Sequence, residues 1–562
     1  MSIIELKEAN CRNCYKCIRN CALKAISFHN DEARILSDDC VLCGKCALIC
    51  PQNAKKIKSS ADRVLSELEK GRRVYASVAP SYAAAFPGVG FDQFKAALMA
   101  AGFAGAEETS IGAAAVSEEY TRLMREGGMK NIITSCCPSV NMLVEKYFPE
   151  LKIYLAPVAT PATAHARMLK KVYGDDILVA FIGPCISKKY EAEQGKDIFA
   201  ALMFEELEKL LEGKGASIAQ GGGPRSARRP DARLYPLPGG IIETVPEAGS
   251  LNYKTEVVSG LDRCISALKD LQVNQVCAGH FIEMSACDNS CVSGPGMQYK
   301  AVSFFMANER IHADAKAPAG RSAATEGISA PMSAAFEHVR IRSNMPDERT
   351  IAAILASIGK TSPESMLNCG TCGYDSCRDK AIAVFQGKAN LSMCLPYMRE
   401  HAESLSNVII EATPNALILI DGDWSILQYN RAAQATYGID ESQGVGYPAT
   451  LYLPARELEE VQSTQQRVTD RRVSVCDDKR VVIQTVLPVQ NGDYLIVGKD
   501  VTDQEATHRR MEDMRREMLE TAQNVIDKQM RAAQEIASLL GETTGESKAA
   551  LIALKKSIMR GE

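Results

Sequence analysis

In the middle of the chain, short apolar runs alternate with amphipathic segments. Two of the apolar runs predict buried strands, over Arg73–Val78 and Ile177–Ile182. Apolar residues that recur three and four positions apart predict helices over Phe91–Ala101, Ser117–Arg125 and Phe199–Leu211. Strands that alternate with helices favour an α/β core in which the strands pair in parallel.

The pattern changes after residue 404, where Ser404–Thr413 is predicted to be helical. Ala416–Ile420 predicts a strand, and the Asp-Gly pair that follows it predicts a tight turn. Arg480–Pro488 and Tyr494–Asp500 predict two further strands. Alternation of apolar and polar residues between turn signals indicates an antiparallel sheet.

From Gln504 to about Leu540 the chain is predicted to form one helix with an apolar stripe. The stripe consists of Leu519, Ala522, Ile526, Gln529, Ala533, Ile536 and Leu540. A coiled coil that makes a homodimer would bury this stripe, and so would packing back on the antiparallel sheet. Both alternatives remain open, since the stripe covers only about three heptads.

The length, the net charge and the apolar runs of the chain limit the classes of protein to which it could belong. A chain of 562 residues is too long for one core and predicts three or four domains. The small net charge of -4, mixed in sign, gives no indication of nucleic-acid or membrane-surface binding. The sequence contains no apolar run of membrane-spanning length and no secretion signal at its start, so we expect a cytoplasmic protein.

Twenty cysteines in a reducing compartment indicate metal binding instead of disulfides. Most of them lie in closely spaced motifs. Three lone cysteines, Cys264, Cys277 and Cys476, are expected to be small buried hydrophobic residues.

Residues 1–60 contain two cysteine runs, Cys11-x2-Cys14-x2-Cys17-x3-Cys21 and Cys40-x2-Cys43-x2-Cys46-x3-Cys50. The fourth cysteine of each run is expected to cross over to the other cluster. Two [4Fe–4S] clusters are thus expected, on Cys11, Cys14, Cys17 and Cys50 and on Cys21, Cys40, Cys43 and Cys46. Zinc is the alternative, although zinc sites favour paired Cys-x2-Cys knuckles. The segment resembles bacterial two-cluster ferredoxins, except that Ala22 stands where that family often has proline.

A third cysteine motif lies in residues 346–403, a stretch whose sequence predicts a small helical unit. It reads Cys369-x2-Cys372-x4-Cys377-x16-Cys394. Gly370 and Gly373 would let the backbone wrap closely around a third [4Fe–4S] cluster. A structural zinc is the alternative, but the four- and sixteen-residue gaps fit zinc knuckles poorly.

Three central segments carry the remaining clustered cysteines, and they contain Cys136-Cys137, Cys185 and the Cys287-x3-Cys291 pair. Two of the segments follow predicted strands. Ligands at the carboxyl ends of parallel strands meet in one crevice. The sequence therefore predicts a buried iron–sulfur centre there.

These three segments resemble those of [FeFe]-hydrogenases over roughly residues 1–345. The resemblance implies an H-cluster, in which a [4Fe–4S] cubane is bridged to a diiron site with CO, cyanide and dithiolate ligands. Cys137, Cys185, Cys287 and Cys291 would hold the cubane, and Cys291 would bridge the two parts. Cys136 would relay protons, and Lys188 would hydrogen-bond a cyanide. The alternatives are a packing thiol at Cys136 and a solvated surface lysine at Lys188.

Several positions depart from the catalytic family. Ser285 and Gly183 stand where methionines are usual, close to the diiron site. In the outward proton path Glu119 matches the first glutamate, but Arg122 and Ala156 replace the second glutamate and the serine. An arginine stays protonated and an alanine carries no proton, so the outer relay is lost and slow turnover is expected. Water, Glu118, Glu126 or Glu283 are candidate substitutes.

The segment Ile426–Ala433, together with Gly498–Thr502, resembles a PAS sensor domain. The PAS domain and the departures match the sensory subgroup of the hydrogenases. The resemblance implies H2 and protons as substrates, ferredoxin or a similar electron carrier, hydrogenase maturation proteins and a signalling partner protein. A metabolic ferredoxin-dependent hydrogenase and a non-catalytic iron–sulfur protein are the competing interpretations. Gly88-Val89-Gly90 lacks the rest of a dinucleotide fingerprint.

The predicted fold class is thus multidomain α/β. It comprises a ferredoxin-like two-cluster domain (1–60), an α/β hydrogenase catalytic domain (61–345), a small helical [4Fe–4S] domain (346–403), an α+β PAS domain (404–503) and a C-terminal helical segment (504–562).

Overall fold

The computed structural model describes residues 3–7, 10–29, 32–219, 230–245, 251–273, 278–316, 323–337, 339, 341, 344–476, 478–489, 492–540, 549–550 and 552–556. The chain forms two compact units, Met1–Tyr397 and Met398–Glu562. The division between them falls close to the predicted boundary at residue 404. Cys277 lies outside the described residues.

The first unit opens with two small antiparallel ladders that hold the N-terminal cysteine runs. Its elements are β1 (Ile4–Leu6), α1 (Lys16–Arg19), β2 (Ile26–His29), β3 (Glu32–Ile35), α2 (Lys45–Leu48) and β4 (Lys55–Ile57). β1 pairs with β4, and β2 with β3. Ile3, Ile4 and Leu42 join one apolar core with Ile133 and Ile282 of the following domain. The ferredoxin-like segment is therefore packed firmly against the central domain.

The central domain contains two parallel sheets with helices around them, as the alternating pattern predicts. Its elements are α3 (Ala61–Glu69), β5 (Val74–Val78), α4 (Tyr82–Ala85), α5 (Phe91–Ala100), β6 (Gly105–Glu108), α6 (Ser110–Glu126), β7 (Asn131–Ile133), α7 (Pro138–Tyr147), α8 (Pro161–Tyr173), β8 (Leu178–Gly183), α9 (Ser187–Gln194), β9 (Ala200–Met203), α10 (Phe204–Gly213), α11 (Gly240–Glu243), β10 (Lys254–Ser259), α12 (Leu261–Val273), β11 (His280–Ser285), β12 (Asp288–Cys291) and α13 (Phe304–Lys316). One sheet has the order β6-β5-β8-β9 and the other β10-β11-β7. All pairs in both sheets are parallel.

The helix predicted over Phe199–Leu211 is wrong in its first part. Residues Ala200–Met203 form β9, the edge strand of the four-stranded sheet, and the helix begins at Phe204. A short apolar run fits a buried strand as well as a helix, and only pairing with β8 decides between them. The helix predicted over Ser117–Arg125 is longer than expected and begins at Ser110.

The third cysteine motif lies in a small helical segment, as predicted. It contains α14 (Glu348–Ala356), α15 (Cys377–Phe385) and the start of α16 (Leu395–Ala412). Helix α16 begins immediately after Cys394.

The second unit is built on one antiparallel sheet with the order β14-β13-β17-β16-β15. Its elements are β13 (Ala416–Ile420), β14 (Ile426–Tyr429), α17 (Arg431–Tyr437), α18 (Ala455–Thr464), β15 (Val468–Val475), β16 (Arg480–Pro488), β17 (Tyr494–Asp500) and α19 (Thr502–Leu540). Strand β15 was not predicted, because it is an edge strand whose side chains are largely polar and exposed. An antiparallel sheet with helices between its second and third strands fits the predicted α+β PAS domain, and the predicted fold class is confirmed.

Helix α19 is anchored to the sheet by Arg472, which hydrogen-bonds Glu505 through two nitrogens at 2.6 and 2.8 Å. Farther along, Met511, Met514 and Met518 are 56–64% exposed. The coiled-coil homodimer stays a prediction. None of the helices over the described residues combines the length and apolar content that a membrane crossing requires.

Candidate active site

Three of the central cysteines lie just after strands of the two parallel sheets, namely Cys137 after β7, Cys185 after β8 and Cys287 after β11. Cys137 follows β7 and caps α7, whose first residue is Pro138. Cys185 lies between β8 and α9, while Cys287 and Cys291 flank and end β12. The carboxyl ends of strands from different sheets thus bring these distant segments together, as expected for parallel α/β folds.

These four cysteines line a single cavity with an empty volume of about 360 Å³. The remaining wall includes Ser139, Pro184, Ile186 and Ser285. Among the described residues, no three His, Cys, Asp or Glu side chains converge as they would around one metal ion. The cysteines instead surround a space, an arrangement that fits a cluster held by four thiolates.

The surroundings of the sulfurs favour soft iron ligation. Burial raises the pKa of the thiols of Cys137 and Cys287, so without iron they would stay protonated. Backbone N–H groups of Ala286, Val140 and Ser139 donate to Cys137 and oppose that shift. Cys291 has the most accessible surface of the four, yet desolvation by the surrounding atoms also raises the pKa of its thiol. Bound iron would supply the positive charge that deprotonates all four.

Cys136 lies beside this cavity without lining it. Its Sγ lies 3.3 Å from the hydroxyl of Tyr120, which is fully buried on α6. Burial raises the pKa of Cys136 to about 12, against the lowering effect of Tyr120 and Lys188. At this pKa the thiol holds its proton at neutral pH, and the Tyr120 hydroxyl is its polar partner.

Lys188 is buried instead of solvated, since only 6% of its surface is exposed. Its Nζ lies 2.5 Å from Oε2 of Glu191, which also accepts hydrogen bonds from Thr160 and Thr163. The positive charge of Lys188 acts on the thiols of Cys136 and Cys291, in each case lowering the pKa. The neighbouring Lys189 is buried too, in a separate ion pair with Glu206.

Ser285 lines the cavity, as its predicted position implies. Its Oγ lies 3.2 Å from Oγ of Ser259 and 3.0 Å from Oγ of Ser290. Ser259 and Ser290 are buried and were not predicted as part of the site. The hydroxyl of Ser285 at the cavity wall is therefore hydrogen-bonded to two further buried hydroxyls. Nearby, the lone thiol of Cys264 is buried and donates to the Ser285 carbonyl.

Glu119 lies on the outer side of α6. Its described hydrogen bond is with Arg122, whose Nε lies 2.9 Å from Oε2 of Glu119. Arg122 also pairs with Glu126, and Ala156 is fully buried. The structure thus brings Cys136 and Tyr120 together and places Glu119 in a half-exposed charge network.

Glu283 is the buried carboxyl of the region and lies on β11. It accepts hydrogen bonds from the backbone N–H groups of Gly239, Ile241 and Ile242, at 2.8–3.2 Å, around the start of α11. Burial nevertheless raises its pKa to about 7. Its charge acts on Cys136 and raises the pKa of that thiol, so the two groups are electrostatically linked.

A second hydroxyl network lies beside Cys136. Ser117 Oγ lies 2.7 Å from the Tyr235 hydroxyl and 2.6 Å from Thr244 Oγ1. The charge of Cys136 acts on Tyr235 and raises its pKa, after the larger effect of burial. Sequence reasoning missed these hydroxyls, since nothing in their spacing marks them.

Most of the N-terminal cysteines fall into two groups whose charges act on one another. Burial, and then the charges of Cys21 and Cys40, raise the pKa of Cys43 and of Cys46. Burial, and then the charges of Cys11 and Cys14, raise the pKa of Cys17. Backbone N–H groups of residues 25, 42 and 54 donate to the sulfurs of Cys21, Cys40 and Cys50, each at 3.3 Å.

The loop of Cys43 reaches the central site directly, because Cys43 lines the same cavity as the four central cysteines. Gly44 has a φ of +78°, and a Cβ there would lie 2.2 Å from Pro295 and 3.0 Å from Ile186. Only a glycine therefore allows this close approach between the ferredoxin-like loop and the central loops.

The third motif forms a separate site. Cys369, Cys372, Cys377 and Cys394 line a cavity with an empty volume of about 370 Å³. The backbone and side chain of Thr371 hydrogen-bond Cys369 and lower its pKa.

Comparison with known proteins agrees with this organisation. Residues 72–295 match the family "Iron only hydrogenase large subunit, C-terminal domain". An Fe-S cluster family matches residues 366–396, and a 4Fe-4S binding domain matches residues 33–56.

Iron hydrogenase 1 of Clostridium pasteurianum is 27% identical over 312 residues, which are 44% of this chain and 54% of that protein. The chain spans 54–61% of the length of the curated relatives it matches. A structure of the HydA1 [FeFe]-hydrogenase of Chlamydomonas reinhardtii is 16% identical, with a TM-score of 0.35, and the match covers 48% of this chain and 91% of that one. The PAS domain of an HTR-like protein from Haloarcula marismortui is 20% identical, with a TM-score of 0.16, over 19% of this chain and 96% of that one.

The family match covers the segments that supply all four cysteines of the central cavity. Residues 72–295 of this chain are therefore similar to the C-terminal domain of the iron-only hydrogenase large subunit.

Proposed function

We propose that this protein catalyses reversible H2 oxidation at an H-cluster held by Cys137, Cys185, Cys287 and Cys291. The observation that carries the proposal is the single cavity lined by these four cysteines, beside the protonated thiol of Cys136. When bound, the group would supply the iron chemistry that splits or forms H2. The chain's own residues would hold the group, exclude water and move protons.

Lys188 and Cys136 would have different functions. The buried ammonium of Lys188 would donate a hydrogen bond to a cyanide ligand, and Glu191 keeps its charge compensated. Cys136 Sγ would accept and release the proton, with the Tyr120 hydroxyl as its hydrogen-bond partner. Ser285 would give the diiron side a polar wall.

Slow turnover follows from the outer proton path. Glu119 is held by Arg122 at the surface of α6, and the serine of the catalytic family is replaced by Ala156. Protons would have to leave through other groups, with Glu283 as the buried candidate. Such an enzyme suits the sensing of H2 or redox poise better than bulk hydrogen metabolism.

Electrons would reach an external carrier of the ferredoxin type through the N-terminal clusters, where Cys14 is exposed. The PAS domain would pass the state of the enzyme to a signalling partner in the cytoplasm, and maturation proteins would insert the diiron part. A truncation after Tyr397, at the division between the two units, should keep H2 oxidation and abolish signalling. Loss of H2 oxidation would contradict this division of labour.

Infrared spectroscopy of the matured protein tests the proposal. Bands of bound CO and cyanide should appear, and they should vanish in Cys291→Ala. Cys264→Ala is the matched control, since Cys264 is a buried thiol outside the cavity, and it should keep the bands. A matured protein without these bands would be a non-catalytic iron–sulfur protein. Bands accompanied by fast turnover would favour a metabolic hydrogenase.

A further inference from the structure

We infer that the site of Cys369, Cys372, Cys377 and Cys394 exchanges electrons directly with the N-terminal site of Cys21, Cys40, Cys43 and Cys46, through a contact made by Tyr374. The inference rests on the proposed function, since H2 oxidation supplies the electrons. The third site would then be a side branch of the electron path. The other N-terminal site, of Cys11, Cys14, Cys17 and Cys50, would not be needed to reach it.

The small helical segment is docked tightly on the ferredoxin-like segment. Arg19 Nη1 donates to the Thr371 carbonyl at 3.1 Å, and Phe28 N donates to the Lys388 carbonyl at 2.9 Å. Lys388 Nζ lies 2.5 Å from Oδ2 of Asp39, which directly precedes Cys40. These polar contacts fix the two segments in one orientation.

An apolar core lies between the same two segments. Ile18 and Phe28 from one side pack with Tyr374 and Met393 from the other. The half-buried cysteines packed against this core are Cys17, Cys21, Cys46 and Cys372. Sulfurs of the N-terminal and third motifs therefore lie against one shared apolar core, which brings the two sites close together.

Gly373 shows how closely the two segments approach. Its φ is +96°, and a Cβ there would lie 2.9 Å from Ile18 Cγ2 and 3.1 Å from Arg19 N. The loop between Cys372 and Tyr374 thus rests directly on the backbone next to Ile18. Any larger residue would push the third site away.

Tyr374 lies between the two sets of cysteines. Only 3% of it is exposed, and its hydroxyl is buried without a hydrogen-bond partner among the described residues. Tyr374 belongs to the apolar core against which both Cys21 and Cys372 pack, so its ring lies near both motifs. A buried hydroxyl with no partner is costly unless something accepts its proton, and cluster or cysteine sulfur would do so.

The position of Cys394 indicates what a side branch of the electron path would do. Cys394 directly precedes α16, the helix that comes before β13 in the chain. Each H2 oxidised releases two electrons and two protons. One electron would leave the Cys21 site, oxidising it, and enter the Cys372 site, reducing it, without any bond being made or broken. The charge of the site at the start of α16 would then follow the H2 level.

The test uses the matured full-length protein and electron paramagnetic resonance. Under H2, the third-site signal, identified by its absence in Cys369→Ala, should appear together with the N-terminal signals. It should still appear in Cys14→Ala, in which the other N-terminal site is damaged. Failure to appear in a Cys14→Ala protein whose remaining N-terminal site is reduced would overturn the branch.

Docking is tested by Gly373→Val, which should abolish H2-driven reduction of the third site while the N-terminal sites still become reduced. Ala353→Val is the matched control. Ala353 is exposed on α14 of the same small helical segment, away from the cysteine loop. Equal loss of the third-site signal in both variants would contradict docking as the cause.

A measurement on the wild-type protein completes the test if a variant does not fold. In protein reduced chemically, the third-site spectrum should show magnetic coupling to the Cys21 site, and Tyr374→Phe should shift the potential of the third site. Absence of coupling would refute the inference whether or not H2 is oxidised. If H2 reduces no site but the coupling is present, the proposed function fails and the contact stands.

Discussion

The hydroxyl of Tyr120 lies 3.3 Å from the Sγ of Cys136, and this contact links the thiol beside the cysteine cavity to the interior of the protein. Tyr120 also accepts a hydrogen bond from Ser135 N at 3.0 Å, so its ring and hydroxyl are fixed. The neighbouring residue, Glu119, points to the surface charge network instead. In the proposed proton path, the group next to the Cys136 thiol would therefore be the Tyr120 phenol and not the Glu119 carboxylate.

Tyr120→Phe removes this contact while keeping the ring. We expect H2 oxidation to slow by about 10²-fold, the lower end of what a positioned proton-transfer group contributes. Cluster content should not change. Tyr253→Phe is the matched control, because Tyr253 belongs to the same apolar core but donates to the Met129 carbonyl. Equal rates in wild type and Tyr120→Phe would remove Tyr120 from the path.

Glu283 predicts a specific pH dependence. Its folded pKa is raised to about 7, so the folded protein binds this proton more tightly than the unfolded chain does. The contribution to stability is therefore fully present at pH values below the unfolded pKa and is lost as the pH rises to about 7. Infrared spectroscopy should show a protonated carboxyl band that disappears with a midpoint of about pH 7.

Glu283→Gln should lack both that band and that part of the pH dependence of thermal stability. Glu256→Gln is a suitable control, since Glu256 is an exposed carboxyl opposite Ile282 on the neighbouring strand. Besides burial and the backbone donors, the charge of Glu243 acts on Glu283 and raises its pKa. The charge of Glu283 in turn raises the pKa of Cys136 and of Tyr235. A band that persists unchanged in Glu283→Gln would belong to another carboxyl.

Sequence reasoning was strongest where chemistry is local. Cysteine spacing marks the candidate sites, and apolar periodicity predicts β5, β8, β16 and β17. Prediction from the sequence failed where a tertiary contact decides whether a segment is a strand or a helix, as for β9. Residues on a helix are about 100° apart, so moving from Glu119 to Tyr120 turns the side chain from the surface into the core. No pattern along the chain shows which of the two meets Cys136.

Arg233 and Glu108 form a fully buried ion pair, with Arg233 Nε and Nη2 lying 2.8 and 2.9 Å from the carboxylate oxygens. Arg233→Met leaves the Glu108 charge buried without this partner and should cost about 3–5 kcal/mol. Calorimetry should show a lower melting temperature for the first unit. The double variant Arg233→Met with Glu108→Gln should recover part of the loss, and no recovery would contradict the charge explanation.

The side chain of Asn430 links several segments of the second unit by hydrogen bonds. Its side chain donates to the carbonyls of Ile410 and Asn415 and accepts from the N–H groups of Leu417 and Ala433, all at 2.8–2.9 Å. Asn430→Ala loses a helix cap and buried hydrogen bonds, and should destabilise this unit by about 3 kcal/mol. Asp440→Ala, at an exposed cap, should cost less. Thermal unfolding followed by circular dichroism distinguishes them, and equal losses would contradict the role of burial.

The central claim is that four cysteines hold the reacting group while a fifth, Cys136, carries the proton. Deuterium exchange tests it most directly. Matured wild-type protein in ordinary water should convert D2 into HD and H2, and Cys136→Ala with the same cluster content should lose this exchange. Wild-type protein that is fully matured yet never exchanges deuterium, or a Cys136→Ala variant that exchanges at the wild-type rate, would contradict the account.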